Sequence, residues 1–345
     1  MNDAHRRIEL RVPVPSARAG GWQLAATVHL PDAPPRRAPI LVALPGAGYG
    51  RRYFDLPESG YSEAAHHARG GIVTVALDHL GCGESSLPPL AETEDLGTVA
   101  AAGDAAVRAI LERVSHGTLA AGLAPIEPTC VVGVGQSMGG HVAVAMQADH
   151  RRFDGLAVLG GSVVCTTMPR PADEDAPVIA SEGPRPDASP AEVAARAIAA
   201  TDWRWVFHWE DVPEALVDAD FRGGMPVRRT APPWGSLTTP GFVQSLLLPG
   251  AVSREAAAVT VPVLIAMGER DLCRSPSEER AAFRSARDVD VVVVPRMAHM
   301  HNFASTRDRL WRRLETFVRQ VEGGRDRRGR RGPSSDGPAH SGSIV

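Results

Sequence analysis

The sequence predicts an α/β fold in which a mostly parallel sheet of eight strands is flanked by helices. Two observations support this prediction. Apolar, β-branched runs alternate with stretches of helical periodicity, which is typical of parallel sheets that are covered by helices on both faces. Several of these runs end in glycine-rich segments, where a chain that leaves a strand turns sharply. With 345 residues, the chain is long enough for one substantial domain with an insertion.

The predicted strands can be placed in order along the chain. The first two, at residues 8–14 and 24–30, are joined through Gly20 and Gly21 and predict an antiparallel pair. A helical pattern of apolar residues between 96 and 114 separates the fourth strand from the fifth. The remaining strands are predicted at residues 40–44, 72–77, from 131 onward, 156–159, 261–267 and 289–294.

The most informative segment follows the fifth predicted strand, where residues 131–140 read V-V-G-V-G-Q-S-M-G-G. A strand, a tight turn and a helix would place Ser137 in a strained backbone conformation at a helix N-terminus. Gly135 and Gly139 leave room for the turn, because a Cβ at either position would clash with the neighbouring strand or helix. The alternative interpretation is an ordinary glycine turn with an N-capping serine.

Two further motifs lie upstream and make the pattern specific. Residues 45–49 read P-G-A-G-Y and residues 78–86 read D-H-L-G-C-G-E-S-S. With G-x-S-x-G, their order resembles that of the α/β-hydrolase superfamily, which carries H-G-x-G and D-x-x-G-x-G-x-S after its third and fourth strands. Pro45 replaces the usual His, which is not a catalytic group. The resemblance covers about residues 11–321 and implies the α/β-hydrolase fold, with Ser137 as the nucleophile.

The resemblance also indicates an acid and a base. The triad acid of the family follows the strand at 261–267, where Asp271 falls on the matching position and Glu269 is the competitor. The catalytic histidine lies in the loop after the last strand, which favours His299 as general base. His301 is the alternative, or else binds substrate or caps the final helix. The two histidines lack the other ligands that a metal site requires, so we expect no catalytic metal and no cofactor.

An oxyanion hole requires two N–H donors. By the resemblance, these are the backbone N–H groups of Met138, which follows the nucleophile, and of Ala47, which follows Gly46. Both act through the main chain, so their side chains need no special chemistry.

Strand–helix alternation stops after the sixth strand. We therefore predict a hydrolase core at residues 1–161 and 259–321, interrupted by a mainly helical cap, or lid, at 162–258. Such an insertion is where this family usually carries its lid. Residues 322–345 are rich in Gly, Arg, Ser and Pro, which predicts a disordered tail.

Aromatic residues of the predicted cap are candidates for the substrate pocket. Trp205 and Trp209, with Tyr49 of the glycine-rich motif, are assigned to substrate binding. The alternative is that the tryptophans only fill the core of the cap.

Composition excludes several classes of partner. A formal net charge of −3 gives no reason to expect nucleic acid, and we find no apolar run that would span a membrane. The four cysteines are widely spaced, which indicates neither a zinc site nor a disulfide framework. We expect a cytoplasmic protein whose partner is a small molecule.

The function that follows is a serine hydrolase, cleaving a carboxylic ester, lactone or thioester through an acyl-enzyme. Lyases and acyltransferases with the same triad, and proteins that only bind, share this superfamily and stay open as alternatives. Epoxide and haloalkane hydrolases are disfavoured, because they use Asp where this chain has Ser137.

Overall fold

The computed structural model describes residues 5–16, 21–171, 178–179 and 189–330. The strands within these residues are β1 (Arg6–Val14), β2 (Trp22–Leu30), β3 (Arg37–Leu44), β4 (Val73–Leu77), β5 (Glu127–Gln136), β6 (Gly155–Leu159), β7 (Thr167–Met168), β8 (Val178–Ile179), β9 (Val263–Gly268) and β10 (Val289–Val294).

Eight of these strands form one sheet in the order β1-β2-β4-β3-β5-β6-β9-β10. Strand β2 is antiparallel to both of its neighbours, β1 and β4, and the remaining pairs of the sheet are parallel. The prediction of a mostly parallel sheet that begins with an antiparallel pair is confirmed. Because β3, β5, β6, β9 and β10 run in one direction, their carboxyl ends lie along one edge, where open α/β sheets bind ligands.

The described helices are α1 (Glu63–Arg69), α2 (Leu96–His116), α3 (Met138–His150), α4 (Pro190–Ala200), α5 (Trp203–Phe207), α6 (Glu214–Asp220), α7 (Ser253–Ala258), α8 (Pro276–Ala282) and α9 (Arg307–Arg330), with 3₁₀ turns at Arg51–Phe54, Leu90–Thr93, Gly241–Leu247 and His301–Phe303. None of the helices in the described part of the chain is long and apolar enough to cross a membrane.

The central strands of the sheet are buried on both faces, as their continuous apolar runs predict. One face packs against α2 and α3, where Val107 and Val144 are fully buried. The opposite face packs against α9 through Leu314 and Phe317. Truncating a buried side chain such as Leu314 to alanine would cost about 2–5 kcal/mol of unfolding free energy.

The segment between β6 and β9 carries the small β7–β8 hairpin, α4 to α6 and the 3₁₀ turn Gly241–Leu247. Its buried Phe207 and Trp234 join Tyr49 and Phe303 of the core in one aromatic cluster. The end of the segment packs with the main core and not with this aromatic cluster: α7 lies on α3 and buries Ala256 there.

The last helix corrects one prediction. Residues 322–330, assigned to a disordered tail, continue α9 as far as Arg330. Arg319 pairs with Glu322 at 3.0 Å, and Arg325 pairs with Asp154 near the start of β6 at 2.5 Å. The prediction from composition did not include these ion pairs, which stabilise the last turns of the helix. Arginine and glutamate are also good helix formers. The rest of the predicted tail lies outside the described residues.

Candidate active site

Ser137 lies in the turn that joins β5 to α3. Its φ is 52° and its ψ is −121°, a region that residues with side chains seldom adopt and that is strained. Its N–H donates to the carbonyl of Leu159 on β6 at 2.7 Å, which holds the turn against the neighbouring strand. Among the described residues, the Ser137 hydroxyl caps no N–H of α3. The geometry therefore lacks the hydrogen bond that the N-cap interpretation requires.

Two glycines make this turn possible. A Cβ on Gly135 would collide with the backbone of Gly139, and a Cβ on Gly139 would collide with the carbonyl of Leu44 on β3. The reason that the sequence suggested for both glycines is confirmed. Their absence of side chains lets α3 start directly above the sheet edge, with Ser137 at its tip.

His299 and Asp271 follow β10 and β9, which are adjacent parallel strands. The Nδ1 of His299 lies 2.6 Å from the Oδ1 of Asp271, and both side chains are only 2% exposed. With Nδ1 held by the carboxylate, Nε2 is the ring nitrogen that remains to exchange a proton. His299 borders the same cavity as Ser137.

The competing acid lies elsewhere. Glu269 is exposed, and its carboxylate accepts the backbone N–H of Arg296 at 2.8 Å. Of the two carboxylates that follow β9, the structure brings Asp271 to the histidine.

The second histidine also contacts Asp271. The Nε2 of His301 lies 2.7 Å from Oδ2, the carboxylate oxygen that His299 does not contact. Sequence reasoning considered His301 as base, substrate ligand or helix cap, and missed this role. The H-x-H spacing after the last strand was the available signal for a pair of histidines. The spacing alone does not show that both rings contact one carboxylate, because this depends on the fold of the loop that leads into the 3₁₀ turn His301–Phe303.

Asp271 is held ionised. Burial alone would raise its pKa, but the charges and hydrogen bonds of His301 and His299 outweigh burial and hold the pKa well below its usual range. The backbone N–H groups of Gly268 and Leu272 donate to the same carboxylate, each at 2.8 Å. Four donors thus fix its charge and its orientation.

Gln136, the residue before Ser137, is a site residue that the sequence analysis did not single out. It is fully buried, and its side-chain amide donates to the His299 carbonyl at 3.0 Å and lies 3.5 Å from His299 Nε2. Its Oε1 has no partner among the described residues and lies where a Cβ on Gly46 would stand. Gln136 therefore connects the turn after β3 with the histidine loop.

The two predicted oxyanion donors belong to adjacent turns. Ala47 follows β3, Met138 is the first residue of α3, and both line the cavity beside Ser137. Among the described residues, neither N–H donates to a backbone carbonyl. The start of α3 adds its positive dipole end to the same place.

The cavity has a volume of about 260 Å³, just below the range of pockets for drug-sized ligands. Its floor is formed by Ser137, Met138 and His299. Most of its wall comes from apolar side chains of the segment between β6 and β9, among them Met168, Ile198, Trp203, Phe207, Met225, Val227, Val243, Leu246 and Leu247.

The three aromatic residues predicted to bind substrate stand outside the described lining of this cavity. The rings of Trp205 and Trp209 stack on the Arg270 guanidinium, whose carbon lies 4.0 and 4.6 Å from their centroids. Helix α5 turns Trp203 and Phe207 towards the cavity instead. The helical phase of α5 decides which of its aromatic side chains border the cavity.

Tyr49 is fully buried and serves a structural contact. Its hydroxyl donates to Asp220 at 2.7 Å, and the indole N–H of Trp234 donates to the same carboxylate at 2.8 Å. The Nε2 of His208 lies 3.0 Å from Oδ2 of Asp220. The guanidinium of Arg228 donates to the Asp220 carboxylate and to the carbonyl of Gly48. Asp220 therefore fastens the segment between β6 and β9 to the turn that carries Ala47.

The other motifs act as supports for that turn. Asp78 accepts the backbone N–H and the guanidinium of Arg51 at 2.5 and 2.7 Å. The Nε2 of His79 lies 2.9 Å from the carbonyl of Pro45, the residue that replaces the family histidine. Burial lowers the pKa of His79, which favours the neutral ring.

Comparison with known proteins identifies the family. The sequence model of the alpha/beta hydrolase family matches residues 41–313, which is most of the chain. The chain belongs to the alpha/beta hydrolase family. The match contains Ser137, Asp271 and His299, and the predicted family and fold are confirmed. No curated protein sequence matches this member of the family.

Solved structures show the same fold at low identity. A thermophilic esterase from Thermogutta terrifontis is 18% identical with a TM-score of 0.59, covering 91% of this chain and 99% of its own. A proline iminopeptidase from Mycobacterium smegmatis is 18% identical with a TM-score of 0.56, and the match covers 92% of this chain and 99% of that protein. A haloalkane dehalogenase variant from Bradyrhizobium elkanii is 14% identical with a TM-score of 0.61, and the match covers 94% of this chain and 100% of that protein.

Proposed function

We propose that this alpha/beta hydrolase is a serine hydrolase that cleaves a carboxylic ester, lactone or thioester through an acyl-enzyme. One observation carries the proposal. Ser137 is held at a strained backbone angle with its hydroxyl unused by the helix, in a cavity that it shares with a histidine fixed by a buried carboxylate. A residue that serves only the fold has no need of that strain.

The geometry supports a two-step reaction. His299 Nε2 takes the proton of the Ser137 hydroxyl as Oγ attacks the substrate carbonyl carbon. The oxyanion of the tetrahedral intermediate accepts the N–H groups of Ala47 and Met138. The intermediate collapses, the carbon–oxygen or carbon–sulfur bond breaks, and His299 returns the proton to the leaving alcohol or thiol. Water then hydrolyses the acyl-enzyme by the same route.

Asp271 acts through His299 and takes no proton itself. An ionised carboxylate accepts the Nδ1–H, which keeps Nε2 as the basic nitrogen and stabilises the imidazolium that forms during each step. The pKa of Asp271 lies well below its usual range, so the carboxylate stays charged across the pH range in which an imidazole titrates.

The cavity indicates the class of substrate. Its apolar wall favours an aliphatic or aromatic group, and its volume of about 260 Å³ favours a small one. We propose that residues 162–258 act as a cap that excludes water from the acyl-enzyme. Several of the similar structures are esterases, which makes the ester the first substrate to test.

The test is labelling followed by turnover. A fluorophosphonate should modify one site per chain, located at Ser137 by peptide mass spectrometry, and p-nitrophenyl esters of increasing chain length should give a burst of nitrophenol. Label on another residue, or no label at all, contradicts the proposal. Label without hydrolysis of esters or lactones, but with elimination or acyl transfer, moves the protein to the lyase or acyltransferase class.

A further inference from the structure

Two histidines and an aspartate meet at the edge of the sheet, in a group that the proposed triad does not use. His5 directly precedes β1, His29 lies in β2, and Asp55 follows the 3₁₀ turn Arg51–Phe54. Arg7 is the cross-strand partner of His29. Because side chains alternate along a strand, His5, Arg7 and His29 share one face. Both imidazoles are buried.

The ligand atoms of these three side chains lie close together around one point. His5 Nε2 lies 2.8 Å from His29 Nδ1, and Asp55 Oδ2 lies 3.9 Å from each nitrogen. A point equidistant from the three corners of that triangle lies about 2.1 Å from each atom, the length of a bond from zinc to imidazole or carboxylate. Within the described part of the chain, this is the one group of three such side chains with ligand atoms this close together.

The surroundings of the carboxylate also match. Ser62 donates to Asp55 Oδ1 at 2.6 Å, and ligating carboxylates are usually oriented by such outer hydrogen bonds. Arg7 contacts both carboxylate oxygens, at 2.5 and 3.1 Å. Its side chain is 51% exposed, so the guanidinium can turn to solvent when a cation takes its place.

We propose that His5, His29 and Asp55 bind one divalent transition-metal ion of the zinc class. Two imidazoles and a carboxylate form the ligand set that Zn²⁺ accepts in proteins. The ion would fasten the start of β1, the end of β2 and the loop after the first 3₁₀ turn to one another, a structural role. The proposal does not depend on serine chemistry, since none of its residues belongs to the proposed triad.

The effect of removing Arg7 distinguishes a metal site from an ordinary polar cluster. If the group is only a histidine–histidine hydrogen bond beside an ion pair, removing Arg7 merely weakens it. If it is a metal site, Arg7 competes with the cation for Asp55, and Arg7→Gln should tighten Zn²⁺ binding about tenfold or more.

The experiment uses the full chain without an affinity tag, freed of metal with a chelator and then titrated with Zn²⁺ by calorimetry. We expect one ion per chain, a raised melting temperature, and with Co²⁺ the visible absorption of a tetrahedral complex. His5→Gln and His29→Gln should each weaken the affinity more than about 100-fold, beyond the loss of an outer partner.

Two histidine variants serve as controls. His116 is exposed on α2, and His301 contacts Asp271, so His116→Gln and His301→Gln should leave Zn²⁺ affinity unchanged. Absence of stoichiometric binding by the native chain overturns the proposal, as does full binding by His5→Gln. If His29→Gln does not fold, His5→Gln and Arg7→Gln still decide the question through their opposite effects.

Discussion

His301 Nε2 lies 2.7 Å from Oδ2 of Asp271, while His299 Nδ1 lies 2.6 Å from Oδ1 of the same carboxylate. Two buried imidazoles therefore share one acid, each on its own oxygen. The carboxylate cannot rotate without breaking one of these bonds, which fixes the ring of His299. An acceptor that serves two imidazoles is also a weaker stabiliser of either one as imidazolium than an acceptor that serves a single ring.

Removing the second imidazole should therefore shift the pH profile of the reaction. In His301→Phe, Asp271 keeps its charge but interacts with His299 alone, so the acid limb of kcat/KM should move to higher pH. We expect kcat to fall about tenfold because the carboxylate is held less firmly. His301→Gln keeps a donor for Oδ2 and should stay closer to the native profile.

An unchanged acid limb in His301→Phe would show that this histidine only fills space. If His301→Phe loses fluorophosphonate labelling while His299→Ala keeps it, the two histidines exchange roles.

The proposed role of Ser137 as nucleophile can be tested by removing its hydroxyl. Ser137→Ala should fold normally and lower kcat by roughly 10⁴ to 10⁶, the scale of a lost triad nucleophile. Ser305 is exposed, its hydroxyl donates to Asp211, and it is not among the residues that line the cavity, so Ser305→Ala is the matched control and should keep full activity. Native turnover by Ser137→Ala would refute the acyl-enzyme mechanism.

The acid is tested by a pair of isosteric changes. Asp271→Asn should lower kcat by about 10⁴, because an amide donor facing Nδ1 forces the wrong tautomer of His299. Glu269→Gln should stay within about twofold of the native rate, since that carboxylate is exposed and contacts the backbone of Arg296. Steady-state kinetics on the best ester, with melting curves as a check on folding, distinguishes the two. The opposite ranking would assign the acid to Glu269.

Much of this architecture follows from local rules. The central strands are predictable because their apolar runs are buried on both faces, and several of them lead into glycine-rich turns. The elbow is predictable because only glycine tolerates the approach of α3 to Leu44 at position 139. Chain order then places Ser137, Asp271 and His299 at the ends of parallel strands along one edge.

The remaining features depend on orientation, which one sequence does not encode locally. Trp203 and Trp205 are two residues apart on α5, yet only Trp203 borders the cavity. The phase of so short a helix is set by its packing on the core. Likewise, His5 and His29 are distant in sequence, and the register of β1 on β2 brings them to the same face of the sheet.

Buried Glu279 provides a test of stability against pH. Burial raises its pKa despite hydrogen bonds from Ser162 and from the Val163 N–H. A carboxyl with a raised folded pKa binds more protons in the folded state, so its contribution is present at low pH and is lost as pH rises through the folded value. Glu279→Gln should therefore gain stability relative to the native chain from pH 5 to pH 8.

Urea unfolding at several pH values measures this difference. Glu278 is the exposed neighbour, and Glu278→Gln should change the free energy of unfolding equally little at each pH. A difference between Glu279→Gln and native protein that is constant with pH would mean that the buried carboxyl does not titrate on its own.

The cavity wall can be tested by two tryptophans of the same helix. Trp203 borders the cavity, whereas Trp205 stacks on Arg270 outside it. Trp203→Ala should enlarge the cavity and shift the preference towards longer esters. The ratio of kcat/KM between esters that differ by one methylene should change by an amount equivalent to about 1–3 kcal/mol. Trp205→Ala should lower the melting temperature through the lost cation–π contact and leave the order of chain lengths as it is. Equal losses on every ester in Trp203→Ala would mean that this ring only supports the segment, and an altered order in Trp205→Ala would return it to the substrate pocket.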